Sequence, residues 1–289
     1  MKVLAGTSKG IFAIKDGDSH HLLESLAVRD LVSFDDRLFA GTGAGLYISD
    51  DDGKTWNLSG LENYAIWQIR SAGNGSIYAA TQPAALFRSE DGGSNWLEVT
   101  SFTKHPEASK WSIPVTPPLP GRSRALVIDQ DNPNRIWVGV EVGGIMKTDD
   151  GGKTWSLILP GDNPDLHMMY AQPGQSDTLY ASTGYGRPHG IAEMVEGNAG
   201  VFRSEDGGAS FDEENGVDLW GVEPAQVRSA PVLAKPRDRV ENLLEAYHFF
   251  TFGTPSVTQL SDGTIVVAFY VTEEHVTYVR CCRLKEKDS

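Results

Sequence analysis

The chain has 289 residues, two cysteines and a formal net charge of −14, with a pI near 4.9. That acidic balance argues against a nucleic-acid or anionic-membrane partner, either of which needs a basic face to displace counterions, and the adjacent pair Cys281 and Cys282 cannot make a disulfide framework. The longest apolar run, Ile265 to Val271, is strand-sized, and Met1 leads into a strand without a signal-peptide pattern, so a soluble, cytoplasmic protein is expected.

Met1 to Ile14 reads as two strands. After them, strands of one design recur: Arg37 to Thr42, Ser76 to Thr81, Arg135 to Val140 and Thr178 to Thr183, large residues giving way to small ones in each. Branched and aromatic side chains suit a pleated, packed surface, while Ala and Gly let neighbouring backbones approach. A partner strand follows each: Gly45 to Ile48, Ala85 to Arg88, Gly144 to Lys147 and Gly200 to Arg203. Another apolar strand precedes each pair: Arg29 to Phe34, Ala65 to Arg70, Arg124 to Ile128 and Leu166 to Tyr170.

Each pair is followed by one signature, Ser49 to Trp56, Ser89 to Trp96, Thr148 to Trp155 and Ser204 to Phe211. Acidic residues and a glycine make a tight turn there, because Asp bonds neighbouring N–H groups and Gly adopts positive φ. The aromatic then anchors the returning strand. Asp50, Asp52 and Trp56, Asp91 and Trp96, Asp150 and Trp155, and Asp206 and Phe211 are the residues expected to build these turns. A four-stranded antiparallel unit repeated in this way is a propeller blade.

The signatures resemble the Asp-box, or BNR, repeat of the sialidase-like β-propellers. The resemblance implies an all-β propeller, and counting the strand units along the chain gives six blades, with seven as the alternative. Residues 1–289 would form a single domain, closed by pairing the N-terminal strands with residues 254–285, and residues 212–252 show no clear repeat. It also implies structural turns at the periphery, away from any active site.

Antiparallel geometry turns this into a statement about faces. If the Asp-box joins strands three and four, the one-to-two turns share its face, and the two-to-three and four-to-one connections lie opposite. Both insertions, Leu97 to Arg122 and Gly184 to Ala199, are of the second kind, and long loops on a rigid scaffold usually carry binding or catalysis. The candidate ligand-binding residues on that face are Trp67, His105, Trp111, Arg122, Arg124, Arg187, His189 and His248. Arg can fork a carboxylate and an aromatic can stack on a sugar, so the expected ligand is a glycan or an anionic small molecule.

His167, Tyr185 and Glu193 are the candidate catalytic groups, because the sialidase-like enzymes use a tyrosine nucleophile helped by a carboxylate. The chain departs from that family at Ser112-Ile113-Pro114, where the tripeptide resembling Arg-Ile-Pro has serine for arginine and lies in the wrong part of the chain, which speaks against sialidase activity. No zinc spacing, phosphate loop, nucleophile elbow or dinucleotide fingerprint occurs, so neither metal nor cofactor is expected. Two readings remain open: a glycoside-hydrolase-like or ligand-binding pocket over the channel, and a non-catalytic scaffold that holds another protein.

Overall fold

The computed structural model describes residues 2–15, 18–113, 116–158, 166–172, 174–183, 200–213, 256–259, 265–273 and 276–284. The chain divides into two compact units, Met1–Leu219 and Trp220–Ser289. The first unit opens with an antiparallel sheet of β1 (Lys2–Thr7), β2 (Gly10–Lys15) and β3 (Asp18–Glu24).

Four four-stranded antiparallel sheets follow. The first holds β4 (Asp30–Phe34), β5 (Arg37–Thr42), β6 (Gly45–Ser49) and β7 (Asn57–Gly60). The second holds β8 (Ala65–Ser71), β9 (Ile77–Gln82), β10 (Leu86–Ser89) and β11 (Leu97–Glu98). The third holds β14 (Ser123–Ile128), β15 (Ile136–Val140), β16 (Gly144–Thr148) and β17 (Ser156–Leu157). The fourth holds β18 (Leu166–Gln172), β19 (Gln175–Thr183), β20 (Gly200–Ser204) and β21 (Asp212–Glu213). Strand order equals chain order in every sheet, as in propeller blades.

The insertion between the second and third sheets is built rather than loose. It contains the one-turn helix α1 (Thr100–Thr103), a 3-10 turn (Pro106–Lys110) and a hairpin of β12 (Ser112–Ile113) with β13 (Leu119–Pro120). The second unit contains the antiparallel sheet β22 (Ser256–Gln259), β23 (Ile265–Glu273) and β24 (Val276–Leu284), with Cys281 and Cys282 on its last strand.

The core lies between neighbouring sheets. Phe39, Leu46, Ile66, Ile69 and Phe87 fill the space between the first and second, and Leu86, Leu126, Ile136 and Met146 that between the second and third. Ala125, Trp137, Ile145, Leu166 and Leu179 fill the next. Backbone closeness demands small residues here: a Cβ on Gly41 would lie 2.9 Å from Ile66 Cγ2, and one on Gly139 would collide with Leu166.

First strands are also tied to one another. Asp30 accepts the Ile69 amide at 2.7 Å, and at the matching position Gln68 accepts the Leu126 amide, also at 2.7 Å. Arg70 donates to the same Asp30 carboxylate at 2.8 Å, yet burial dominates and pushes that carboxyl above its usual range.

Each signature is a hydrogen-bonded clasp. In the second, Ser89 Oγ donates to Asp91 Oδ1 and accepts the Gly93 amide, while Asp91 accepts from the backbone and side chain of Asn95. The same scheme recurs around Asp150 and Asp206. In the first clasp the closing carboxylate is Asp51, where the sequence reading names Asp50 and Asp52. Asp51 accepts from Ser49, Lys54 and Thr55, whereas Asp50 pairs outward with Arg37 at 2.6 Å, and Asp52 supplies the turn's positive φ of 58°. Three consecutive aspartates look alike in sequence, but the second alone is two residues beyond the serine that orients it.

Hydrogen bonds hold Asp51 and Asp91 down to about 2, led by Thr55 and Asn95 respectively, and hold Asp150 and Asp206 lower still. A carboxylate depressed in the folded state stabilises it above the unfolded value of about 4, and that contribution disappears as pH falls through the folded value. Asp30 has the opposite sign: its raised folded value costs stability as pH rises through it. With four carboxyls depressed against one raised among the described residues, the thermal midpoint is expected to drop most steeply between pH about 4 and about 2. Asp91→Asn should flatten that drop in circular-dichroism melts; an unchanged profile would remove the clasps from the account of acid stability.

Candidate functional site

Alignment on the second strand of each sheet exposes a recurrent position. Gly41, Ala80, Gly139 and Ser182 pair with Asp30, Gln68, Ala125 and Met168 on the first strands. In the last three sheets the register slips just before that pair, leaving Trp67, Arg124 and His167 as the extra residues. The first sheet has Arg29 at the same place, its amide bonded to the Gly41 carbonyl at 2.8 Å. Bulges of this kind re-aim a side chain at the end of a strand. Four successive sheets therefore set Arg29, Trp67, Arg124 and His167 at one level of their first strands.

Three of these converge with Arg122. The guanidinium carbons of Arg29, Arg122 and Arg124 lie 4.7, 5.0 and 5.5 Å from the centre of the Trp67 ring. The quadrupole of indole favours such cation contacts. Glu141, buried in the turn between β15 and β16, approaches Arg122 at 3.0 Å and Arg124 at 3.4 Å. Its amide also bonds the Arg122 carbonyl at 2.9 Å.

Arg29 is exposed and has no carboxylate within salt-bridge distance among the described residues; its Nη1 donates to the Ala27 carbonyl at 3.3 Å. Partial desolvation, and then repulsion from Arg122, lower its pKa. Trp67 Nε1 and Arg122 Nε are buried without a partner among the described residues. The site is thus rich in donors and poor in acceptors: three guanidinium groups face one carboxylate, in a chain whose net charge is −14.

Backbone bonds between turns separate two faces of the sheets. The one-to-two turns touch the clasps of their own sheets, the Gly151 amide bonding the Asn134 carbonyl and the Gly207 amide the Asp177 carbonyl, each at 2.9 Å. The arginine cluster instead gathers around Glu141 in a two-to-three turn. Two surface depressions lie apart from it. One of 440 Å³ is lined by Phe34, Asp35, Asp36, Arg37 and Asp50 among others, and one of 320 Å³ by Arg88, Glu90, Leu97 and Ser101 among others. Neither is lined by the arginines around Trp67, so the cluster is not set in either of these depressions.

Trp67, Arg122 and Arg124 come together, but Trp67 offers its ring to guanidinium groups rather than to a sugar face. Trp111 is a core residue, buried and 4.7 Å from the Phe102 ring, because the insertion packs onto the core between the second and third sheets. His105 caps the 3-10 turn, its Nδ1 accepting the Glu107 amide at 3.3 Å. His167 shares the recurrent strand position and is half-buried. Tyr185, Arg187, His189, Glu193 and His248 lie outside the described residues.

Sequence reasoning missed Arg29 and Glu141. Arg29 was legible through the alignment just given; Glu141, in a short turn, carries no such signal. Among the described residues, no cluster of His, Cys, Asp and Glu suits a metal ion, and no helix is long and apolar enough to cross a membrane.

Comparison with known proteins fits this architecture. A family model described as a DUF6242 beta propeller domain matches residues 6–117, and a BNR/Asp-box repeat model matches residues 146–157, which span the third clasp. A probable oligoxyloglucan-reducing end-specific xyloglucanase of Neosartorya fischeri is 26% identical over 137 residues, covering 43% of this chain and 15% of that protein. The photosystem II assembly lipoprotein Ycf48 of Synechococcus sp. is 30% identical over 136 residues, covering 44% of this chain and 36% of that protein. Both matches thus span well under half of the relative.

Among solved structures, the GH74 xyloglucanase of Xanthomonas campestris superposes with a TM-score of 0.58 at 13% identity, over 97% of this chain and 42% of the enzyme. An ancestral GH74 enzyme gives 0.55 at 15% identity, over 96% and 36%. At such identities the likeness concerns the fold.

Proposed function

Since the chain is a BNR/Asp-box β-propeller, we propose that it is a ligand-binding propeller working through the face opposite its Asp-boxes, and that it takes a glycan or small molecule bearing a negative charge. One observation carries this reading: Arg29, Arg122 and Arg124 packed around Trp67 with Glu141 as the counter-charge. Guanidinium forks match oxyanions, and a ring already covered by cations is a poor platform for a neutral sugar. The xyloglucanase relatives favour a carbohydrate as the carrier of that charge. In a hydrolytic version of this reading, His167, Tyr185 and Glu193 are the acid–base and nucleophilic groups.

A protein partner is the second reading, favoured by the relationship to an assembly lipoprotein and by Leu26, 62% exposed, beside Gly43 and Arg29. Calorimetry with glucuronate and glucose separates the two. Under the first reading glucuronate binds, glucose does not, and Arg29→Ala weakens glucuronate at least tenfold, the equivalent of one lost charge-assisted contact of about 1.4 kcal/mol. Equal behaviour of the two sugars, or no binding of either, would remove that reading.

A further inference from the structure

The three arginines are not equivalent. Arg122 offers Nη1 to both Glu141 oxygens, at 3.0 and 3.3 Å. Arg124 reaches only Oε1, at 3.4 Å, well beyond the roughly 2.7–2.9 Å of a good charged hydrogen bond. Arg29 reaches no carboxylate among the described residues. Glu141 therefore neutralises one guanidinium fully, a second loosely and the third not at all. Arg29 and Arg124 occupy matching strand positions in the sheets that flank the Trp67 sheet, and their guanidinium carbons lie 4.7 and 5.5 Å from the centre of that one ring.

Resting on the anionic-ligand reading, we propose that Glu141 is the resident counter-ion of the site: an oxyanion of the ligand bridges Arg29 and Arg124, displaces Glu141 from Arg124, and leaves it on Arg122. The physical basis is competition. Arg124 is asked to serve two carboxylates, and the weaker contact yields. The unpaired donors set the ligand class, since Arg and Trp supply only N–H groups and Glu141 is the single carboxylate within reach of the cluster among the described residues. Each hydroxyl of a neutral polyol brings a hydrogen of its own that needs an acceptor, whereas an ionised carboxylate or phosphate oxygen only accepts and carries the complementary charge.

The test is calorimetry on the whole chain with glucuronate, inorganic phosphate and glucose, in wild type, Arg29→Ala and Glu141→Gln. The two anions separate a carboxylate source from a phosphate source. Removing a like charge near the bound anion is worth roughly 1 kcal/mol in a wet site, so Glu141→Gln should tighten the preferred anion about threefold to tenfold. Arg29→Ala should weaken it, and glucose should stay unbound throughout. Should the amide variant fail to fold, Glu141→Asp keeps the charge beside Arg122 but shortens the reach to Arg124, and is expected to tighten binding in the same direction. Anion binding that Arg29→Ala weakens while the Glu141 variants leave it unchanged or weaker would overturn the counter-ion role and leave the anion site standing. No anion binding in any variant would overturn the site itself.

Discussion

Trp137→Ala is expected to destabilise the protein by about 3–5 kcal/mol, the range for deleting a large buried aromatic. Trp137 is fully buried between the third and fourth sheets, and its Nε1 donates to the Gly207 carbonyl of the neighbouring Asp-box at 3.1 Å. Truncation would open a cavity against Ile145, Leu179 and Leu166 and leave that carbonyl without its donor. Trp56 is the natural control. It is half-buried and bonds Gly53 within its own clasp at 3.2 Å, so Trp56→Ala should cost about 1–2 kcal/mol, mostly lost packing. Urea unfolding of both variants checks the contrast. Equal losses would mean that the inter-sheet seam contributes no more than the clasp.

Arg122→Ala is expected to cost about 3 kcal/mol, because it leaves the buried Glu141 with only the looser Arg124 contact. Adding Glu141→Ala should restore part of the loss, since removing both partners leaves no orphaned charge. Arg29→Ala should be near neutral, within about 0.5 kcal/mol, as Arg29 is exposed and bound to no carboxylate among the described residues. A double-mutant cycle by chemical denaturation reads this directly. Arg122 therefore holds the cluster together, whereas Arg29 adds nothing to its stability and is left for the proposed ligand. If Arg122→Ala proves harmless, the ion pair is a surface contact and the cluster loses its rigid base.

The pattern of large-to-small strands and the Ser-x-Asp clasps was readable because both repeat, and repetition turns weak local signals into one architecture. The facing rule was readable too, since antiparallel strands allow only two sides for their turns. Asp51 was legible by the same repetition, since it stands two residues after Ser49 as Asp91 stands after Ser89; hydrogen bonds to Ser49 and Thr55 hold it there. Trp111 shows where such reading stops. An aromatic in a long insertion looks available for a ligand, but Trp111 joins the core between the second and third sheets, with Phe102 between it and Trp155 of the third Asp-box.

Fold class, the clasps and the face that carries the insertion between the second and third sheets follow from the order of residues alone, because local turn chemistry and strand alternation act over a few neighbours. The grouping of Arg29, Trp67, Arg122, Arg124 and Glu141 does not. These residues come from three different sheets and meet because bulges in successive first strands carry equivalent positions to one level, where a single indole ring and a single buried carboxylate can hold three like charges together.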